Sequence, residues 1–270
     1  MSTSRRWLCV GVSLLLALAS GCSEPVAAVG VAQVGVAQGA LASVRVLVLA
    51  GGGYHEFGKN LEILLPALKS QGSFSFTTLW LGPQSPSAGA APAGQGPGVD
   101  LPLDPGLAQH VDVLLAYTQG DLHLDDGQRA QILRFVRGGG GFVGLHCAVD
   151  SYPGWAEYVQ MCGAKFLTHP PFGPIHVSVE PTPHPITAGL PAEWDLKDEF
   201  YHLQDWELGA QTVLMSGISP AGGEVRPVTW CKPYGKGRVA CTILGHGAEV
   251  HGDARYQQLV AQALVWAAGR

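Results

Sequence analysis

A single doubly wound α/β domain over residues 44–270, with a mostly parallel sheet and helices on both faces, is the fold the sequence predicts. Two observations carry that expectation. Strand-length apolar runs alternate with segments of helical period, which calls for parallel pairing through right-handed crossovers. With 270 residues, 47% of them hydrophobic, the chain can also bury one large core. Charged residues are only 14%, below the ~25% of ordinary soluble domains, so Gly, Ser, Thr, Gln and His must cover much of the surface. The formal charge of −5 is not arranged in a basic stripe, and nucleic acid is not an expected partner.

The elements follow in order. Residues 1–21 read as a lipoprotein signal peptide: Arg5 and Arg6 form a positive start, Trp7 to Leu18 is apolar, and the small residues Ala19, Ser20 and Gly21 precede Cys22. The apolar run is too short to span a membrane. This ending resembles the bacterial lipobox, which implies that Cys22 is acylated and anchors the protein to a membrane of the cell envelope, on its periplasmic or outer-surface side. An ordinary secretory signal with an incidental cysteine is the alternative. Residues 22–43 form a flexible tether with the direct repeat Val29 to Gln33 and Val34 to Gln38.

Val44 to Ala50 reads as a strand ending in Gly51-Gly52-Gly53, and Asn60 to Lys69 as a helix with Leu61, Leu64, Leu65 and Leu68 on one face and Pro66 at a kink or end. Phe74 to Leu81 is a second strand, Pro83 to Gly98 a surface loop, and Val111 to Tyr117 a third strand. A helix begins at Asp125 or Asp126 and runs to Arg137, ahead of a strand over Gly141 to Leu145. The second half carries short strands at Ile175 to Glu180, Thr212 to Met215, Arg226 to Cys231 and Arg238 to Ile243, some of them antiparallel, and closes with a helix over Tyr256 to Ala267.

Open α/β sheets bind ligands beyond the carboxyl ends of their strands. Histidines stand at three such ends: His55 after the first strand, His146 after the fourth, and His246 after the last. Three imidazoles converging on one sheet edge are hard to explain as packing, so they form the candidate site. Gly144-Leu-His-Cys-Ala148 has the shape of a nucleophile elbow with His146 in the raised place. Cys147 comes one residue late, which disfavours a Cys-His hydrolase. Asp198-Glu199-Phe-Tyr201-His202 gathers two carboxylates, a phenol and an imidazole. On a helix both carboxylates approach His202, whereas in extended chain Glu199 and Tyr201 share a face.

His169, between Thr168 and Pro170, is a further site candidate, while His184 in a Pro-rich turn reads as structural. There is no GxxxxGK[ST], and the glycines at 138–141 precede a strand instead of following one, so no nucleotide cofactor is expected. Gly51 to Gly53 fits close backbone approach to a substrate. Cys147, Cys162, Cys231 and Cys241 could pair as disulfides in an exported chain or serve as small core residues.

The pattern as a whole resembles the ThuA-like trehalose utilisation family, a relative of the class I glutamine amidotransferase fold. The residues that carry the likeness are Val46 to Glu56, Phe135 to His146, His184 to Leu190, Asp198 to Tyr201, Pro227 to Trp230, Tyr234 to Val239, Leu244 to His246 and Trp266-Ala267. The resemblance implies a three-layer flavodoxin-like core in which His146 replaces the amidotransferase cysteine, so glutaminase activity is not expected. It also implies a carbohydrate ligand, especially a sugar oxidised to the 3-keto form that an enzyme can hydrolyse or eliminate.

In such chemistry His146, Glu199, His55 and His246 are the catalytic candidates, with His146 the first choice of base and Glu199 the second. Tyr54, His169 and Tyr201 are candidates to bind substrate. A divalent metal ion held by His55, His169 or His246 is left open. The alternative is an envelope lipoprotein that binds carbohydrate without turning it over.

Overall fold

The computed structural model describes residues 43–81, 107–122, 124–206, 211–221 and 223–270. The signal peptide, Cys22, nearly all of the tether and the Pro83 to Gly98 loop lie outside them. Among the described residues eleven strands and six helices follow in chain order: β1 (Val44–Gly51), α1 (Phe57–Gln71), β2 (Phe74–Trp80), α2 (Leu107–His110), β3 (Val113–Thr118), α3 (Asp126–Arg137), β4 (Gly141–Leu145), α4 (Ala156–Cys162), β5 (Lys165–Thr168), β6 (Gly173–Val179), β7 (Glu193–Asp198), β8 (His202–Gln204), β9 (Thr212–Ile218), β10 (Arg226–Tyr234), β11 (Gly237–Thr242), α5 (Ala248–His251) and α6 (Ala254–Ala267). None of the described helices is long and apolar enough to cross a membrane.

The fold is mixed α/β. Nine strands form one sheet in the order β2-β1-β3-β4-β11-β10-β9-β6-β7, and β5 pairs with β8 apart from it. The expected mostly parallel sheet is parallel only from β2 to β11 and antiparallel from β11 to β7. Connection length explains the change of direction. Only Gly235 and Lys236 separate β10 from β11, and a two-residue link closes an antiparallel hairpin but cannot make a parallel crossover. Gly235 takes φ +62°, the left-handed conformation such turns need.

The apolar runs supply the core. β3 is buried at every residue and β1 at all but Arg45, as strands covered on both faces must be. Asp125 starts α3 through a capping box: its carboxylate accepts from Gln128 N at 2.8 Å while the Gln128 side chain accepts from Asp125 N at 2.9 Å. Pro66 lies inside α1, away from either end. Cys147, Cys162, Cys231 and Cys241 are free, buried thiols, which agrees with the small-core-residue reading.

Candidate functional site

Three strand ends deliver the imidazoles. After β1 the chain turns through Gly51 and Gly52 at φ +135° and +149°, where a Cβ would stand 2.0 Å from Leu81 O and 2.8 Å from Gln119 O respectively. At Gly51 and Gly52 the close approach that glycine permits is to the chain itself, while a Cβ at Gly53 would meet nothing within 4 Å. The turn seats His55 in the interior, 4% exposed, beside Phe57 and Tyr117.

His146 opens a 3-10 turn directly after β4 at φ +45°, a left-handed conformation that costs a non-glycine residue about 1–2 kcal/mol. That is the strained geometry of an elbow, and it aims the imidazole outward from the sheet end. A Cβ at Gly144 would come within 3.0 Å of Cys241 Sγ, so the approach to the turn is glycine-dependent too. The His146 ring is fully buried, lies 4.3 Å from the Tyr201 ring, and has Nδ1 2.6 Å from Ile243 O. A carbonyl can only accept, so Nδ1 carries a proton, and Nε2 faces the site.

His246 follows β11 through Gly245, whose φ is +122° and whose Cβ would meet Tyr256 Oη at 2.5 Å. The three ring centroids lie 4.9 Å (His55 to His146), 5.1 Å (His55 to His246) and 5.5 Å (His146 to His246) apart. The expected convergence is met.

Glu199 arrives from the far edge of the sheet. Its Oε2 is 3.0 Å from His246 Nδ1 and 3.4 Å from His146 Nε2, and its Oε1 is 3.7 Å from His169 Nε2. Asp198, the last residue of β7, holds this arrangement. Its buried carboxylate accepts from Gly245 N at 2.7 Å, His246 N at 3.0 Å and Glu199 N at 2.9 Å. The 198–202 segment is thus extended, with Glu199 and Tyr201 meeting the same imidazole, while the His202 ring lies against Phe200. The Asp198 carboxylate accepts all three of these hydrogen bonds from backbone N–H groups.

The electrostatics divide the cluster. Burial, and then the neighbouring His146 and His246, press the His55 pKa down to about 3, so this ring stays neutral. Burial alone would raise the Glu199 carboxyl, but hydrogen bonding to His146 and His246 outweighs it and holds the group well below the usual carboxylate range. His246 is raised in turn, chiefly by Glu199. Burial pushes the Tyr201 phenol well above its ordinary value and keeps it un-ionised.

The remaining candidates differ in exposure. Tyr201 is buried between His146 and Phe166, and its ring stacks at 5.7 Å on His169, which is exposed and has Nδ1 2.8 Å from Pro170 O. Tyr54 is 85% exposed, outside the buried cluster. His184 is the expected turn residue, its Nδ1 accepting from Ile186 N at 3.2 Å.

Two neighbours escaped sequence reasoning. Phe172 lies 5.5 Å from the His246 ring and is 48% exposed, forming part of the rim. Asp150, in the same 3-10 turn as His146, is raised by burial and takes a 3.0 Å hydrogen bond from Gln119 Nε2. Neither position carries a local signal, because nonlocal packing places both. A cavity of about 270 Å³ is lined by Tyr201, Leu203, Trp206, Arg226 and Pro227. A larger one, about 530 Å³, touches Val44 and Phe74 at the opposite ends of β1 and β2, away from the imidazoles.

Comparison with known proteins gives a family and a fold. The sequence profile of ThuA, described as trehalose utilisation, matches residues 102–267. A ThuA-like protein from Parabacteroides merdae superposes with TM-score 0.69 at 20% identity, over 84% of this chain and 90% of its own. Another from Bacteroides uniformis gives 0.62 at 19% identity, over 83% and 91%. A β-galactosidase from Bacillus circulans sp. alkalophilus gives 0.51 at 15% identity, over 82% of this chain and 30% of that one. No curated protein matches the sequence.

Proposed function

The chain belongs to the ThuA family, described as trehalose utilisation, and from that membership we propose that it is a lipid-anchored envelope enzyme acting on glycosides oxidised to the 3-keto form. The family ties the chain to carbohydrate metabolism. The observation that carries the catalytic reading is the position of Glu199, whose Oε2 stands 3.0 Å from His246 and 3.4 Å from His146 at the carboxyl ends of the strands. The fold reading that accompanies it is a three-layer flavodoxin-like core. The order β2-β1-β3-β4-β11 of the parallel strands supports it.

A ketone at C3 acidifies the neighbouring C2–H. Glu199 takes that proton, the electron pair of the broken C–H bond forms the C1–C2 double bond, and the substituent leaves C1 with its oxygen. His169, exposed and with Nε2 3.7 Å from Glu199 Oε1, would pass a proton to the leaving oxygen. Addition of water to the unsaturated ketone completes a net hydrolysis. Glu199 is a weak base because its carboxyl is held low. Removal of the C2 proton therefore needs a strongly polarised ketone, a task this reading gives to the cluster of His55, His146 and His246. Tyr201 and the exposed Phe172 offer aromatic surface to a sugar ring or its substituent.

The test is incubation of the purified chain with a 3-keto-glycoside, following release of the anomeric substituent. Turnover that falls ~10²–10⁴-fold in Glu199→Gln is the expected outcome for loss of a proton-transfer group. Saturable binding without release by the unaltered protein would replace this reading with that of a carbohydrate-binding lipoprotein.

A further inference from the structure

We infer that His55, His146, His246 and Glu199 form a binding site for one divalent transition-metal ion of the zinc class. The ligand atoms of the three histidines lie within 4.8 Å of one another. Neither ring nitrogen of the buried His55 has a hydrogen-bond partner, and His146 Nε2 and His246 Nδ1 face a single carboxylate oxygen, Glu199 Oε2, between them. Each unmatched buried polar atom costs about 1–3 kcal/mol, and here they converge on one point. A proton shared between two nitrogens cannot serve a third, whereas one cation serves all of them.

Spacing and second-sphere contacts agree. A tetrahedral ion with bonds of 2.0–2.1 Å has ligand atoms separated by about 3.4 Å. Glu199 Oε2 already stands 3.0 Å from His246 Nδ1 and 3.4 Å from His146 Nε2. The three nitrogens, within 4.8 Å of one another, would have to draw together to reach that spacing. Glu199 then either completes the coordination or accepts a proton beside it. His146 is prepared as a ligand by its Nδ1 contact with Ile243 O at 2.6 Å, which keeps a proton on Nδ1 and turns Nε2 inward. Asp198 orders the backbone of both His246 and Glu199.

Three imidazoles and one carboxylate select zinc, cobalt or nickel over the oxygen-seeking magnesium and calcium. An ion there would polarise the C3 ketone and stabilise the enolate. That role, unlike the binding itself, rests on the function proposed above.

The experiment is metal analysis of the full chain, followed by chelator stripping and titration with Zn²⁺ or Co²⁺, read by calorimetry and by the visible absorption of bound cobalt. One equivalent per chain is expected, with affinity lowered at least ~100-fold in His246→Ala, beyond the 10–100-fold that outer-sphere partners cost. His246 is only half-buried, so circular dichroism of that variant can verify its fold independently. His176→Ala, which removes a surface histidine beside Asp195 and Glu193, should bind as the unaltered protein does. Failure to bind stoichiometrically, or unchanged affinity in folded His246→Ala, overturns the site as an adventitious ion only. A loaded ion without turnover of 3-keto-glycosides would leave the site standing and sink the proposed reaction. Full turnover by stripped protein would remove the ion from the reaction, and the binding titration alone would then decide the site.

Discussion

The buried Asp198 carboxylate accepts the backbone N–H of His246 at 3.0 Å, joining the end of β7 to the loop after β11. With Gly245 N and Glu199 N bound to the same carboxylate, one side chain sets the relation between an imidazole and the carboxylate facing it. Asp198→Asn leaves one oxygen to accept and turns an NH₂ toward backbone donors. It should lower stability by about 2–3 kcal/mol, measured by urea unfolding. Activity should fall further than the unfolded fraction explains, because His246 and Glu199 lose register. Equal losses would make Asp198 merely structural.

His146 is held at φ +45°. Glycine adopts that conformation freely and alanine does not, so His146→Gly should be about 1 kcal/mol more stable than His146→Ala. Both should be inactive. A reversed order of melting temperatures would contradict the strained elbow.

Burial holds the Cys147 thiol well above its usual pKa, so it is not a thiolate at neutral pH. Cys147→Ala should keep most activity and cost about 1 kcal/mol of stability through lost packing. Inactivity in a folded Cys147→Ala protein would point to a thiol nucleophile.

His251 is buried with Nε2 2.9 Å from Gly245 O, and burial lowers its pKa to about 4. The unfolded chain takes up a proton near the ordinary imidazole pKa while the folded chain refuses it. The stability this group contributes is therefore complete above about pH 6.5 and is lost as pH falls toward about 4, at up to ~1.4 kcal/mol per pH unit. His55 adds a limb of the same sign. His251→Gln should reduce the slope of unfolding free energy between pH 6.5 and pH 4.5 by about one proton's worth. An unchanged slope would show that His251 is protonated in the fold.

The proposed export signal ending at Cys22 leads to an expectation about attachment. Cys22→Ala should remove acylation and release the protein from membranes on fractionation. Membrane association that survives the substitution would refute the lipid anchor.

The three histidines were legible because each follows an apolar run, and parallel strands bring their carboxyl ends to one edge whatever their order. The α3 start at Asp125 was legible for a similar reason, since a capping box is completed within four residues. Elements with weaker local signals were missed: β7 (Glu193–Asp198) is charged and lies at the sheet edge, and α4 (Ala156–Cys162) is seven residues long without a side-chain N-cap. The sequence by itself determined which imidazoles would gather. Only the tertiary structure decided that Glu199 faces them, that Asp198 is an anchor, and that His55 is sealed from water. Those outcomes depend on hydrogen bonds and packing between residues far apart in the chain, such as Asp198 with Gly245. Local periodicity records an element's own preferences and carries no information about which distant backbone donor a carboxylate will meet.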